Sequence, residues 1–246
     1  MVELRASDGT IVGTYNVGSG PGGIAFDGAN IWVANYYSNT VTKLNATNGT
    51  IIGTYNVGTW PRGIAFDGGN IWVANSGSGD VTELKASDGS LVNTYNLGGA
   101  GALVFDGANM WVVTGGGNTV VKMNTHGYIL GTYSVGNMPV DIVFDGANIW
   151  VTNYYSNNVT KLRASDGTLL GTYNTGNSPS GIVFDGANIW VTNVSDGNVV
   201  KLKASDGSLL GTYNVGYHPT DMVFDGASIW VTNQGDGTIT KIPALP

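Results

Sequence analysis

The stretch GIAFDGANIWVAN, residues 23–35, constrains this chain more than any other feature, because it returns along the whole sequence. The later copies read GIAFDGGNIWVAN (63–75), ALVFDGANMWVVT (102–114), DIVFDGANIWVTN (141–153), GIVFDGANIWVTN (181–193) and DMVFDGASIWVTN (221–233). Their phenylalanines stand at Phe26, Phe66, Phe105, Phe144, Phe184 and Phe224, and a tryptophan follows each after six residues. A unit of about forty residues in six copies is a small supersecondary element that buries its apolar faces against its own neighbours.

Within a unit, four β-type segments alternate with turn signals. GIAF is a short apolar run, suited to a strand covered on both faces. Asp-Gly then marks a tight turn, because Gly accepts positive φ without steric cost. IWVAN and TVTKL make the second and third strands, ATNG or ASDG turns the chain, and TIIGTYNVG makes the fourth. No segment carries an apolar stripe at helical spacing. The reading is all-β, and units of this length pack radially as a six-bladed β-propeller of four-stranded antiparallel blades.

One domain is expected over 1–246, with blade cores near 21–58, 61–98, 100–136, 139–176, 179–216 and 219–242, the last completed by 1–18. The last copy has three strands, ending in TITKI, and TIVGTYNVG (10–18) reads as its fourth. The N-terminal strand is therefore expected to close the ring and remove two sheet edges. MVELRAS duplicates the third strand, so Met1–Arg5 is expected to be displaced or added at the rim.

IWVTNYYSNNVTKL followed by GTYNTGNSPSGIVF resembles the YVTN-type propeller repeats, relatives of the NHL and virginiamycin B lyase-like propellers. The resemblance spans all six units and implies the same scaffold. Families on this scaffold differ in what they do, so it implies no single function.

Composition narrows the partners. Charged residues are 11%, the formal net charge is −7, and the ten Lys and Arg form no basic run, so a nucleic-acid partner is not expected. No apolar stretch is long enough to span a bilayer as a helix. There is no cysteine, hence no disulfide, thiolate metal site or thiol nucleophile. The Gly-, Asn- and Thr-rich composition reads as extracellular or cell-surface, although no signal peptide is present in this sequence. No cofactor or metal is expected.

The six copies also show where the unit varies. The turns between strands one and two (DGAN, DGGN, DGAS) and between strands three and four are nearly constant, and their aspartates read as turn-stabilising. The other two connections diverge. Between strands two and three stand YYSN, SGSG, GGGN, YYSN, VSDG and QGDG, and between units SGPG, TWPR, GAGA, NMPV, NSPS and YHPT. In an up-and-down blade these two connections share one end, so one face is constant and the opposite face varies. Loops on a rigid scaffold are where binding residues gather.

The candidate ligand-binding residues are therefore Tyr36, Tyr37, Trp60, Arg62, Asp141, Tyr154, Tyr155, Tyr217, His218 and Asp221, with Met138 beside them. Tyrosine and tryptophan offer apolar faces with polar tips, suited to a carbohydrate, a peptide or a protein, or else simply cover the blade ends. Asp141 and Asp221 replace a small residue at the start of strand one, expected to line the central channel, where two carboxylates either hold a cation or stay solvated.

The lyase relatives imply a His and Glu constellation around a divalent metal. Here there are only His126, His218, Glu3 and Glu83, spread over different connections and strands. A general base within reach of its substrate is not assembled from them, so no catalytic residue is assigned. The expected function is a non-enzymatic recognition or scaffolding propeller, with a lyase or hydrolase of the central channel as the alternative.

Overall fold

The computed structural model describes residues 1–244. Among them the only helical element is a 3-10 turn at Gly115–Gly117. The chain opens with a hairpin, β1 (Val2–Leu4) and β2 (Ile11–Thr14). Blade 1 follows as β3 (Pro21–Phe26), β4 (Asn30–Asn35), β5 (Thr40–Asn45) and β6 (Ile51–Asn56). Blade 2 is β7 (Pro61–Phe66), β8 (Asn70–Asn75), β9 (Asp80–Lys85) and β10 (Leu91–Asn96). Blade 3 is β11 (Leu103–Phe105), β12 (Asn109–Thr114), β13 (Thr119–Asn124) and β14 (Ile129–Ser134).

Blade 4 is β15 (Pro139–Phe144), β16 (Asn148–Asn153), β17 (Asn158–Arg163) and β18 (Leu169–Asn174). Blade 5 is β19 (Pro179–Phe184), β20 (Asn188–Asn193), β21 (Asn198–Lys203) and β22 (Leu209–Asn214). Blade 6 is β23 (Pro219–Phe224), β24 (Ser228–Asn233) and β25 (Thr238–Pro243). Sequential strands are hydrogen-bonded neighbours in every blade, and the fold is the all-β, six-bladed β-propeller read from the repeat.

The chain forms two compact units. The first comprises Met1–Thr114 with Lys122–Leu130, and the second Gly115–Val121 with the chain from Gly131 onward. In the first, Trp32, Val41 and Tyr55 of blade 1 pack on Ile71, Val73 and Leu84 of blade 2. Trp72, Val81 and Tyr95 of blade 2 in turn pack on Leu103, Met110 and Val112. In the second, Trp150, Val159 and Tyr173 of blade 4 meet Ile182, Ile189 and Val191 of blade 5, and Trp190, Val199 and Tyr213 meet Met222, Ile229 and Val231 of blade 6. The pleat explains the pattern: in IWVTN the Ile and Val face the preceding blade while the Trp faces the next.

The nearly constant DGAN turn has a purpose beyond turning. Asp27 Oδ1 accepts the backbone N–H of Ala29 and of Asn30, and Oδ2 accepts the Trp32 indole N–H at 2.7 Å. The indole bond recurs as Trp72–Asp67, Trp111–Asp106, Trp150–Asp145, Trp190–Asp185 and Trp230–Asp225, at 2.6–2.8 Å. A buried indole N–H needs an acceptor, and the turn carboxylate five residues back supplies it. Burial acts to raise Asp27 and Asp185, but the indole and turn donors outweigh it and hold both below the ordinary carboxylate range.

A second clip joins successive blades. Lys161 Nζ lies over the Trp150 ring at 4.8 Å and donates to the Ala204 carbonyl of the next blade at 2.7 Å. Lys43 does the same over Trp32 toward Ala86, and Lys201 over Trp190 toward Ala244. Cation–π contact plus carbonyl donation lets a nearly buried ammonium stay satisfied.

The N-terminal strand does not pair as expected. β2 pairs with β1, in the register Val2↔Thr14, Glu3↔Gly13 and Leu4↔Ile11, while β25 pairs with β24. The blade 6 sheet thus has three strands, and β1 lies outside it, paired with β2 in a separate two-stranded sheet. The reason is proximity. β1 carries third-strand sequence only a short turn away from β2, so the hairpin closes a far smaller loop than a pairing across the whole chain. The Tyr15 hydroxyl also donates to Glu3 at 2.7 Å.

Candidate functional site

The two variable connections of a blade are tied together at one end, as the internal comparison predicts. In the first unit Tyr36 and Tyr37 donate their backbone N–H groups to the Gly20 and Ser19 carbonyls, and Ser76 and Gly77 donate to Trp60 and Thr59. In the second, Tyr154 and Tyr155 donate to Met138 and Asn137, and Gln234 and Gly235 to His218 and Tyr217. Each pair of loops is therefore one hydrogen-bonded platform on top of its blade.

The backbone of that platform is unusual. The residue before the conserved-position proline is left-handed in every blade that has the proline: Gly20 (φ 68°), Trp60 (56°), Met138 (55°), Ser178 (60°) and His218 (52°). Gly takes this conformation freely, but a side chain there costs about 1 kcal/mol or more. In three of these blades an asparagine side chain accepts the backbone N–H of the left-handed residue. Asn39 Oδ1 accepts the Trp60 N–H at 2.9 Å, Asn118 that of Met138 and Asn157 that of Ser178, both at 3.0 Å. Those three asparagines are themselves left-handed. Sequence reasoning singled out Trp60, Met138 and His218 but not this backbone conformation or its asparagine partners. The available signal was the alignment of Gly20 with Trp60, Met138 and His218, a glycine-type position bearing large side chains.

In the first unit the platform is aromatic. Tyr36 stacks on Trp60, with centroids 5.8 Å apart and planes 12° from parallel, and meets Tyr37 edge-on at 5.0 Å. Trp60 is 51% exposed and Tyr37 72% exposed. Arg62, at the start of strand one of the same blade, is exposed. The candidates Tyr36, Tyr37 and Trp60 thus form one cluster.

The second unit carries two smaller groups. Tyr154 and Tyr155 repeat the edge-on contact at 5.3 Å, and here Ser178 stands where Trp60 stands beside Tyr36. Tyr217 stacks on His218 with centroids 4.0 Å apart, and Asp236 accepts the Tyr217 backbone N–H. Tyr155 and Tyr217 are exposed, while Tyr154 and His218 are half-buried.

The aspartates at the start of strand one have a structural use. Asp141 Oδ1 accepts the Ile142 N–H and Oδ2 the Ile182 N–H of the next blade, so its carboxylate bridges blades 4 and 5. Asp221 Oδ1 likewise accepts the Met222 N–H. Among the described residues no three His, Cys, Asp or Glu side chains gather in a group able to hold a metal ion.

Glu83 stands where the other five blades have lysine: Lys43, Lys122, Lys161, Lys201 and Lys241. It accepts from the Tyr95 hydroxyl at 2.7 Å and from Asn70 Nδ2 at 2.8 Å. Burial pushes its pKa up, and burial together with Glu83 pushes Tyr95 up to about 12. His126 occupies the turn of blade 3, where its backbone N–H donates to Asn124 Oδ1. Both belong to the scaffold side of their blades, away from the aromatic platform of Tyr36 and Trp60.

A family model described as outer membrane protein assembly factor BamB matches residues 37–242. No curated protein matches the chain. Among solved structures, a streptogramin B lyase is 20% identical with a TM-score of 0.77, covering 93% of this chain and 84% of its own. The virginiamycin B lyase of Staphylococcus aureus is 18% identical with a TM-score of 0.77, covering 94% and 86%. A candidate 6-phosphogluconolactonase of Bacteroides uniformis is 14% identical with a TM-score of 0.81, covering 98% and 89%. At these identities the likeness is one of fold.

Proposed function

Because the chain belongs to the family of the outer membrane protein assembly factor BamB, we propose that it is a non-enzymatic recognition or scaffolding propeller. Its ligand, a carbohydrate, peptide or protein, lies on the variable loop end. The observation that carries the reading is Trp60. It is a half-exposed indole at a left-handed position where glycine would be strain-free, stacked flat on Tyr36. Backbone strain at an exposed aromatic calls for a use outside the fold. Two nearly parallel rings, one edged by a phenol hydroxyl and the other by an indole N–H, suit a partner with flat apolar faces and hydrogen-bonding rims, such as a sugar ring or a peptide segment. In the first unit Arg62 is the polar group of this surface; in the second, Tyr155 and Tyr217 offer the same chemistry, with His218, Asp141 and Asp221 as polar groups. The composition favours an extracellular or cell-surface setting.

A second reading is supported by the fold likeness to the two lyases: turnover of a cyclic depsipeptide. The chain has two histidines and two glutamates for such chemistry, and one of the glutamates, Glu83, is occupied by Tyr95 and Asn70. Two experiments separate the readings. Fluorescent protein on glycan and peptide arrays is expected to give hits that weaken with Trp60→Gly. Incubation with a streptogramin and magnesium is expected to leave the substrate intact. Turnover that is lost in His218→Ala contradicts the recognition reading.

A further inference from the structure

The repeat calls for a tryptophan on strand two and a tyrosine on strand four of each blade, stacked together. Trp32–Tyr55, Trp72–Tyr95, Trp150–Tyr173 and Trp190–Tyr213 do so, with centroids 5.2–5.6 Å apart. Trp230 and Tyr15 stand apart from this pattern. Trp230 of blade 6 has no strand-four tyrosine beside it, since β25 is the last strand of that sheet among the described residues. Trp32, Trp72, Trp111, Trp150 and Trp190 are completely buried, whereas Trp230 is only half-buried. Tyr15 on β2 has the opposite deficit. It is seated like its counterparts: a Cβ on Gly49 would collide with its ring, as one on Gly89 would with Tyr55 and one on Gly207 with Tyr173. Its sheet, however, is β1 and β2 alone, with no tryptophan.

The faces around these two rings are open in the same complementary way. On blade 6, Val223 is 60% and Ile239 48% exposed, while Val41, Val81, Val159 and Val199, at the position of Ile239, are at 0%. On blade 1, Ile24 is 54% and Phe26 55% exposed, while Ile142 and Ile182, at the position of Ile24, are at 6%. The second pair of faces is what the first pair meets where blades 5 and 6 and blades 4 and 5 join: Val183 and Val199 with Phe224 and Met222, and Val143 and Val159 with Phe184 and Ile182. The molecule thus displays both halves of an interface it already makes internally, and its own hairpin is held in the first unit by the β1–β2 pairing.

We infer that these halves meet between copies of this chain, with β2 of one copy joining the outer edge of β25 in another and completing its blade 6. The register follows from blades 1 and 4, where Thr42↔Thr54 and Thr160↔Thr172 pair between strands three and four. It sets Thr240 opposite Thr14 and Ile239 opposite Tyr15, and it puts Tyr15 on Trp230. The exchange replaces one antiparallel ladder (β1–β2) by another (β25–β2), so backbone hydrogen bonds are conserved. The gain is the tyrosine–tryptophan stack and the covering of Ile24, Phe26, Val223 and Ile239. A contact between two different patches is heterologous and propagates into rings or open chains. This is addition of a strand to an open sheet edge, with the partner's own repeat as the recognition sequence.

The chain has no cysteine, which makes the test direct. Thr14→Cys and Thr240→Cys are made as separate single variants, mixed at equal amounts and oxidised mildly. The expected product is the mixed two-chain disulfide, in clear excess over disulfides between identical variants. Light scattering behind size exclusion is run in parallel on the unaltered protein. The expected mass rises with concentration above the 25.5 kDa of one chain, and Tyr15→Ser weakens the association up to about tenfold, the worth of an aromatic pair. A mass that stays at one chain overturns the inference. So does a mixed product no more abundant than the same-variant disulfides, or a double variant that forms only a disulfide within one chain. The outcome is independent of the array experiment, because none of these residues belongs to the aromatic platform.

Discussion

The two ends of a blade each hold tryptophan beside polar residues, and they treat it in opposite ways. At the turn end, Trp150 is fully buried, its indole N–H is taken by Asp145, its ring is stacked on Tyr173, and Lys161 caps it. Every group on the ring is used, and the arrangement recurs from blade to blade. At the loop end, Trp60 occurs once, sits on a strained backbone, and keeps half of its surface in water. One arrangement maximises what the fold gains from the ring; the other accepts strain and forgoes burial. Repetition marks the first as architecture. Departure from repetition sets the second apart and is the ground of the proposed function, while the left-handed backbone itself recurs at Met138, Ser178 and His218.

Substitutions at matched positions are the sharpest way to break that comparison. Trp150→Ala removes a fully buried side chain and is expected to lower stability by about 3–5 kcal/mol in denaturant unfolding. Asp145→Ala leaves the same ring in place but strips the acceptor from its indole and from two turn N–H groups. The expected loss is about 1–3 kcal/mol. If that variant unfolds like the parent, the aspartate–indole bond is incidental. Trp60→Gly should move stability the other way, by up to about 1 kcal/mol, since glycine relieves a left-handed position. A clear destabilisation would mean that Trp60 belongs to the fold after all.

A smaller effect is expected from pH. Asp27 and Asp185 are held below the ordinary carboxylate value of 3.8 in the folded protein. A depressed folded pKa gives stability that is present above the unfolded value and lost as pH falls through the folded one. Unfolding midpoints should therefore be flat near neutrality and decline below about pH 4. Asp185→Asn should flatten part of that decline. An unchanged slope would show that the turn carboxylates are not the groups being titrated.

Much of the fold was legible because it is written repeatedly. The fixed spacing of Phe and Trp, the Asp-Gly turns and the alternating strands specify blades, and β3 to β25 follow them closely. The N-terminal hairpin was misjudged because sequence similarity shows what a strand can pair with, not which equivalent partner is nearer; β1 and β25 compete for β2 on equal sequence terms. Asp141 has a structural use that the sequence does not announce. An aspartate replacing glycine suggests a new ligand, yet its two oxygens serve the Ile142 and Ile182 amides of neighbouring blades. The residues of the loop platform could be picked out by comparing the copies, but its conformation could not. Nothing in the sequence announces that Asn39 captures the Trp60 N–H and turns the indole outward onto Tyr36.

The central claim is that the loop end, not the turn end, meets the ligand. The most direct measurement is the glycan and peptide array read with three variants beside the parent: Trp60→Gly and Tyr155→Ala at the loop end, and Ala147→Lys on the exposed part of a turn. Loss of a central aromatic anchor costs about 2 kcal/mol or more of binding, so the parent's hits are expected to fall at least about thirtyfold in affinity in Trp60→Gly or Tyr155→Ala and to persist in Ala147→Lys. Hits that survive both aromatic substitutions and vanish in Ala147→Lys would contradict the account.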